Sequence, residues 1–493
     1  MLRALLLAAA PLAASAQFQA PAWPIAGANS RRTYRGPNAG PSSATGVAWS
    51  TTLGNATAYP IGPVIDGAGN SYFVIASFVN NGRYPQPGPG VSLVKVSPSG
   101  AVVWTTQGLG CQAAQPTCTQ AYPTEATISG DGSAVYVQVD FAAPGGGGRP
   151  IVLPGNVFAV NAASGALAWT SQTAGAFFSD NAMPMTEFDG TVLAVDEIPN
   201  PGGGFPWSEL VAYSPSGSAS GSLRIGGADF SSVAVVPVSG TIILWPGFGL
   251  MTAVAGGASG GQILWQQNVS VGLSRGGGGG GGRGGAMLAI SEDGLTIIAA
   301  YTNAPYIVWV SVATGQTVNN QSVGPGWGSP GYADYSRLLL GPDNSVFICS
   351  GYYGNNGGGT NPLVALAASG LPNPKWPAPG TGPQLSPPCV MDSAGRLFGA
   401  GRNSVIAVDG AVGATLWTAP MTTAGVRGLT LGVAGQLFAM DGNGTLLSVG
   451  QAPAAPLVTT RDVAAGAVGA GISIVLCAGA FAVWWFRCEY TCP

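Results

Sequence analysis

The stretch "NVFAVNAASGALAWT", Asn156 to Thr170, decides the fold. It reads as an apolar strand, a tight turn ending at Gly165, and a second strand carrying Trp169. The same phrase recurs as "LVKVSPSGAVVWT", "LVAYSPSGSASGSLR", "TAVAGGASGGQILWQ", "IVWVSVATGQTVNN", "LVALAASGLPNPKW" and "IAVDGAVGATLWT". A tryptophan closes the phrase at Trp104, Trp169, Trp265, Trp376 and Trp417, while the third and fifth copies lack it.

A second mark precedes each phrase. It is a hairpin turn between apolar runs, at Asp66, Asp131, Asp189, Ser239, Asp293, Asp343, Asp392 and near Gly435. These turns fall roughly 43 to 65 residues apart, and each unit reads as four strands, the period and content of a propeller blade. Seven complete units run from about residue 58 to 420, and an eighth begins at "GLTLGVAGQLFAMDGNGTLLSVG" without a tryptophan strand. The missing strand is "ATGVAWSTT" at the other end of the chain, with Trp49. Joining it to the last blade leaves no open sheet edge. The expectation is an all-β, eight-bladed β-propeller over 44–450, with seven blades as the alternative. Trp49, Trp104, Trp169, Trp265, Trp376 and Trp417 are its expected blade-to-blade packing anchors.

The "A-x-D/N-x-x-S/T-G-x-x-x-W" phrases resemble the PQQ-like repeats of the quinoprotein alcohol dehydrogenase-like superfamily, which includes outer-membrane assembly lipoprotein propellers. "VNAASGALAW" and "VDGAVGATLW" are the nearest copies. The resemblance implies a propeller and is hardly specific for function. For a dehydrogenase it would imply PQQ, calcium, a catalytic Asp and an adjacent cysteine pair, and no Cys-Cys pair exists in this sequence. No catalytic, cofactor or metal residue is therefore assigned from it.

Composition narrows the chemistry. At 493 residues the chain could hold several ordinary domains or one large all-β domain. Charged residues are 8% and glycines number 79, which suits short strands joined by many turns rather than a solvated disordered chain. The sequence has no histidine, which excludes Ser-His-Asp and Cys-His nucleophiles and every His-ligated metal. A net charge of −3 gives no reason to expect a nucleic-acid partner.

The two ends read as targeting segments. "MLRALLLAAAPLAASA" (1–16) has the layout of a signal peptide, followed by an extended segment at 17–43. After a linker at 451–462, the uncharged run 463–486 is long enough to cross a bilayer, with Trp484 and Trp485 near its end. A cytoplasmic tail of 487–493 would remain, and the bulk would lie outside the cell. Gly466 and Ala470, with Ala467 and Gly471, give spacing that would let two such helices pack together.

An outside location fits disulfides. Cys111 and Cys118 bracket a short loop, whereas Cys349 and Cys389 lie in corresponding parts of neighbouring repeats, so that a bridge between them is possible. Asn55, Asn268, Asn320 and Asn443 begin glycosylation sequons. Glu187, Asp189, Asp196 and Glu197 could be imagined as a calcium site or an acid/base pair, but read better as solvated loop acids. "DGNGT" at 441–445 reads as a plain turn rather than a calcium loop. The Gly-rich "SRGGGGGGGRGGA", "PGGGGRP" and "GYYGNNGGGT" read as loops, with Tyr352 and Tyr353 as exposed aromatics. The expectation is a single-pass cell-surface protein with a non-catalytic binding or scaffolding propeller. Its ligand would be an extracellular protein or glycan. The alternatives are a divergent PQQ- and calcium-dependent oxidoreductase and a carbohydrate-acting surface propeller.

Overall fold

The computed structural model describes Asn29 and residues 35–450, apart from loop segments of which the longest are 174–185, 270–285, 323–336 and 350–362. The described residues form eight antiparallel sheets. Seven follow the chain in order, and the eighth is completed by Val47–Thr52, which pairs with Thr445–Gly450. Each innermost strand lies against the next, and Ala58–Ile65 of the first blade meets Val426–Leu431 of the eighth. The ring is closed, with eight blades rather than seven.

The turns explain why strands stop where they do. Between the first and second strands of every blade one residue has positive φ. It is glycine in seven blades, at 69, 132, 190, 240, 294, 395 and 435. In the sixth it is Asn344 at φ 60°, and asparagine is the side chain that best tolerates that region. In "DGNGT", Asp441 Oδ1 accepts from the backbone N–H groups of Asn443 and Thr445, each at 2.9 Å, so this stretch is the plain turn expected.

Blade two supplies the opening phrase. Ile151–Asn161 pairs with Leu167–Gln172, and an extra residue between Leu167 and Trp169 bulges out and sets Trp169 opposite Ala159. The same bulge places Trp104 opposite Lys95, Trp265 opposite Ala253, Trp417 opposite Ala407 and Trp49 opposite Ser448. Two blades depart from four simple strands. In blade two the innermost strand is split into Gln120–Pro123 and Thr127–Ile128. In blade six the described residues form three strands, and Trp376 follows Val364–Leu366 outside them. Its segment "LPNPKWP" carries three prolines, which lack the N–H a fourth strand would donate.

The core is a series of layers between blades rather than one centre. Between blades four and five, for example, Trp245, Met251 and Ile243 pack on Leu288, Ile297 and Val308. Sheets stacked face to face in this way bury both of their surfaces.

Both expected disulfides are formed. Cys111–Cys118 (Cα–Cα 5.3 Å) closes a short loop at the junction of blades one and two. Cys349–Cys389 (Cα–Cα 6.2 Å) joins blade six to blade seven. Their positions do not correspond as the repeats suggested. Cys349 lies in the second strand of its blade and Cys389 in the innermost strand of the next. The predicted spanning run 463–486 lies outside the described residues. Among the described residues no helix is long and apolar enough to cross a membrane.

Candidate functional site

Five of the six blade-packing tryptophans, all but Trp417, dock on the next blade's turn through one device. The indole N–H donates to a backbone carbonyl there: Trp49 to Pro98 (2.9 Å), Trp104 to Ala162 (3.2 Å), Trp169 to Pro215 (2.8 Å) and Trp265 to Val312 (2.8 Å). Trp376 donates to Gly410 at 2.8 Å. The indole faces lie on the turn glycines. A Cβ at Gly217 would stand 2.6 Å from Trp169, and one at Gly100 equally close to Trp49. Gly217→Ala therefore meets both a backbone of φ +86° and the indole, and is expected to cost about 3 kcal/mol. Gly190→Ala, at φ +78° with nothing nearer than 3.9 Å, should cost only about 1 kcal/mol. Urea melts of the two variants separate the strain from the contact.

The Trp-less blades solve the junction differently. In blade five Asn319 stands at the tryptophan position and donates to Ser369 O at 3.0 Å, while Trp309, opposite it in register, reaches Gly370. In blade three the position is Gly221, opposite Ala212. Blade one sets Lys95 against Trp104, and both donate to the Ala162 carbonyl. Burial lowers the Lys95 pKa.

Where the tryptophan of blade seven should find blade eight's turn, there is no continuous turn. Trp417 donates instead to Pro41 O at 3.2 Å. The segment around Pro41 crosses the turn side of blades seven and eight. Gly40 N–H donates to Asp392 (3.0 Å), Arg396 donates to the Gly40 and Pro41 carbonyls, and Gly435 N–H donates to Ala39 O. Farther along, Arg35 bridges to Met391 and pairs with Glu292 of blade five. The sequence placed this stretch in an extended segment but carried no sign of these contacts.

On the same side, a cleft of about 510 Å3 opens between blades two and three. Ser129, Asp131, Ser133, Asn161, Pro215 and Trp169 line it. Asp131 accepts from the Ser129 hydroxyl at 2.6 Å and from the Ser133 hydroxyl and N–H, which hold its carboxyl below the usual range. Asp293 is held down in the same way by Ser291. A carboxyl with a lowered folded pKa stabilises the fold above its unfolded pKa and loses that contribution as pH falls. Stability should thus decline below about pH 4, and Ser129→Ala with Ser291→Ala should flatten that decline in urea melts.

The acid group singled out in the sequence divides. Asp189 and the side chains of Glu187 and Glu197 lie outside the described residues. Asp196 is not a solvated loop acid. It sits within the strand Thr191–Ile198 at 1% exposure, because alternation turns it toward blade two. There Gln138 Nε2 donates to Asp196 Oδ1 at 3.2 Å and lies 3.4 Å from Asp140 Oδ1. Among the described residues no group of three or more His, Cys, Asp and Glu stands at metal-binding spacing. Asn268, Asn320 and Asn443 are exposed, while Asn55, Tyr352 and Tyr353 lie outside the described residues.

No family model matches the chain, and no curated protein matches it. Similar solved structures include BamB from Moraxella catarrhalis, 14% identical, covering 82% of this chain and 99% of that one at a TM-score of 0.49. A chain of a mitotic checkpoint complex is 12% identical, covering 82% and 95% at 0.39. The Cps50 (Swd1) β-propeller domain from Myceliophteria thermophila is 8% identical, covering 68% and 99% at 0.38. Each is a likeness of backbone path and says nothing of ligand or partner.

Proposed function

We propose that the chain is a single-pass cell-surface protein whose propeller of PQQ-like repeats is a non-catalytic binding or scaffolding module. The observation that carries this reading is the cleft between blades two and three, where an indole stands among hydroxyls, an amide and a carboxylate. Such a mixture suits a protein loop or a glycan, since the aromatic ring supplies area and the polar groups orientation. The ring beneath it is closed, which suits presentation of a fixed surface. The sequence supports the location through the leader-like run 1–16, the apolar run 463–486 and four sequons.

The test uses the full chain expressed in cells. Surface biotinylation and a mobility shift on enzymatic deglycosylation are the expected results for location. Protection from both reagents would overturn it. For binding, the detergent-solubilised chain is applied to a glycan array and, separately, cross-linked on intact cells, with Ser129→Ala/Asp131→Ala as the cleft variant. Capture that the variant abolishes supports the reading, and capture indifferent to it overturns the cleft as the site. Turnover of an alcohol or sugar with PQQ and calcium, read by dye reduction and lost on chelation, would replace the binding module with an oxidoreductase.

A further inference from the structure

Blade one holds a cation that the cleft between blades two and three lacks. In its third strand, Lys95 pairs with Tyr72 on one side and Trp104 on the other. The ammonium lies over the Tyr72 ring, 5.3 Å from the centroid. It donates to Ala162 O of blade two at 2.9 Å, the same carbonyl that the Trp104 indole uses. Burial lowers the Lys95 pKa, and Asp66 in the first turn of the blade acts against that. A cation at this junction therefore meets three groups at once: an aromatic ring, a turn carboxylate, and the carbonyl on which the tryptophan docks.

Blade seven reaches the same arrangement from a different strand position. Arg396 begins the second strand, stands 6.0 Å from the Phe398 ring centre and pairs with the turn acid Asp392. Its Nη1 donates to Pro41 O at 3.3 Å, again the carbonyl that the blade's tryptophan uses. Blade two has these surroundings without the cation. Ala159 stands where Lys95 does, paired with Tyr136 and Trp169. Those two rings are 5.8 Å apart, as Tyr72 and Trp104 are. Trp169 donates to Pro215 O, and Asp131 lies in the first turn. All five residues line the cleft, and among the described residues that line it there is no lysine or arginine.

We propose that the cleft takes a lysine or arginine side chain from a partner protein, in the role that Lys95 fills in blade one and Arg396 in blade seven. The bonds that Ser129 and Ser133 make to Asp131 all fall on Oδ1, so Oδ2 is open to a ligand. With both hydroxyls committed there, the cleft offers Asp131 Oδ2 and Pro215 O as acceptors. An ammonium or guanidinium carries only donors and a charge, and matches both, whereas a sugar hydroxyl brings no charge to meet the carboxylate. The indole beside them favours a cation further. Asn161 Oδ1 is taken by the N–H groups of Ala163 and Ser164, which leaves its NH2 for the backbone carbonyl of a peptide. This assignment rests on the cleft being the binding surface, and narrows its ligand from a protein loop or a glycan to a basic loop.

The test is fluorescence anisotropy of short labelled peptides on the detergent-solubilised full chain. The peptides are glycine throughout except for one central lysine, arginine or acetyl-lysine, with the label blocking the N-terminus. The lysine or arginine peptide should bind at about 1 mM or below, and more weakly as salt is added. The acetyl-lysine peptide should bind about tenfold more weakly or worse. Asp131→Asn keeps the oxygen that the turn donors use and removes the charge, so it should weaken the basic peptides about tenfold. Asp131→Glu keeps the charge and should keep most of the binding. Should these variants fold poorly, the acetyl-lysine and salt comparisons on the parent chain decide. No binding of either basic peptide at about 1 mM, or binding that acetylation or Asp131→Asn leaves unchanged, overturns the basic ligand. A glycan that binds and is lost in Ser129→Ala/Asp131→Ala, with no basic peptide bound, overturns it too while the cleft remains the site. Peptide binding that depends on Asp131, beside cell-surface capture that does not, supports the basic-chain site and removes the cleft from the function proposed above.

Discussion

A chain lacking residues 35–52 is expected to lose the cooperative fold of the ring, a larger loss than any single substitution would cause. The deleted strand Val47–Thr52 pairs along Thr445–Gly450, and without it that strand becomes an unpaired sheet edge. Trp49 would no longer lie on Gly100 or donate to Pro98, so the eighth blade would lose its dock on the first. Its ring also packs 5.7 Å from Phe438, against the apolar cluster that joins blades seven, eight and one. Trp417 would lose the Pro41 carbonyl, which loosens the junction of blades seven and eight as well. Two of eight junctions then fail together, on either side of one blade. Trp49→Ala alone should cost about 3 kcal/mol, because its indole is only partly buried. Thermal melts and limited proteolysis of the full chain, the deletion and Trp49→Ala distinguish these. A deletion that melts at the parent temperature with one sharp transition would show that the strand does not close the ring.

The architecture was legible because a propeller writes its plan repeatedly. A turn residue at positive φ must be glycine or asparagine, and a tryptophan that docks on a neighbour's turn must recur at one register, so both leave marks at every blade. Even the swap at the chain ends could be read, from Trp49 standing alone before the first repeat. What could not be read follows from single events. Trp309 fills a junction from the third strand rather than the fourth, and only the register opposite Asn319 shows that. Asp196 looked like a loop acid because it stands close in sequence to Glu187, Asp189 and Glu197. Its burial depends on which face of one strand meets Gln138 in another blade, 58 residues away. The crossing of the extended segment over blades seven and eight was equally silent, since backbone carbonyls at Gly40 and Pro41 carry it and carbonyls have no sequence signature.

That crossing rests on one buried ion pair, and breaking it is the second large effect expected. Asp392 is fully buried in the first turn of blade seven. Its Oδ1 accepts from the Ala394 and Arg396 N–H groups at 3.0 and 2.8 Å, and its Oδ2 from Arg396 Nε at 2.7 Å. Gly40 N–H supplies a further donor to Oδ2. Blade one has the same turn without the cation: Asp66 accepts from Ala68, Asn70 and Tyr72, and Asn70 stands where Arg396 does. Arg396→Met leaves the Asp392 carboxylate buried with backbone donors only, and should cost about 3 to 5 kcal/mol. It also removes the donors to Gly40 and Pro41, so residues 35–43 should become the first point of protease attack. Asn70→Ala, which deletes a neutral donor from the equivalent turn, should cost about 1 kcal/mol. The double variant Arg396→Met/Asp392→Asn separates the two consequences. Removing the charge should restore much of the stability, because the penalty in the single variant is a carboxylate without its cation. It should not restore protection of residues 35–43, because the guanidinium that holds the two carbonyls is still missing. Recovery of both together would mean that the segment is held by Asp392 through Gly40 N–H, and that Arg396 serves only to neutralise it.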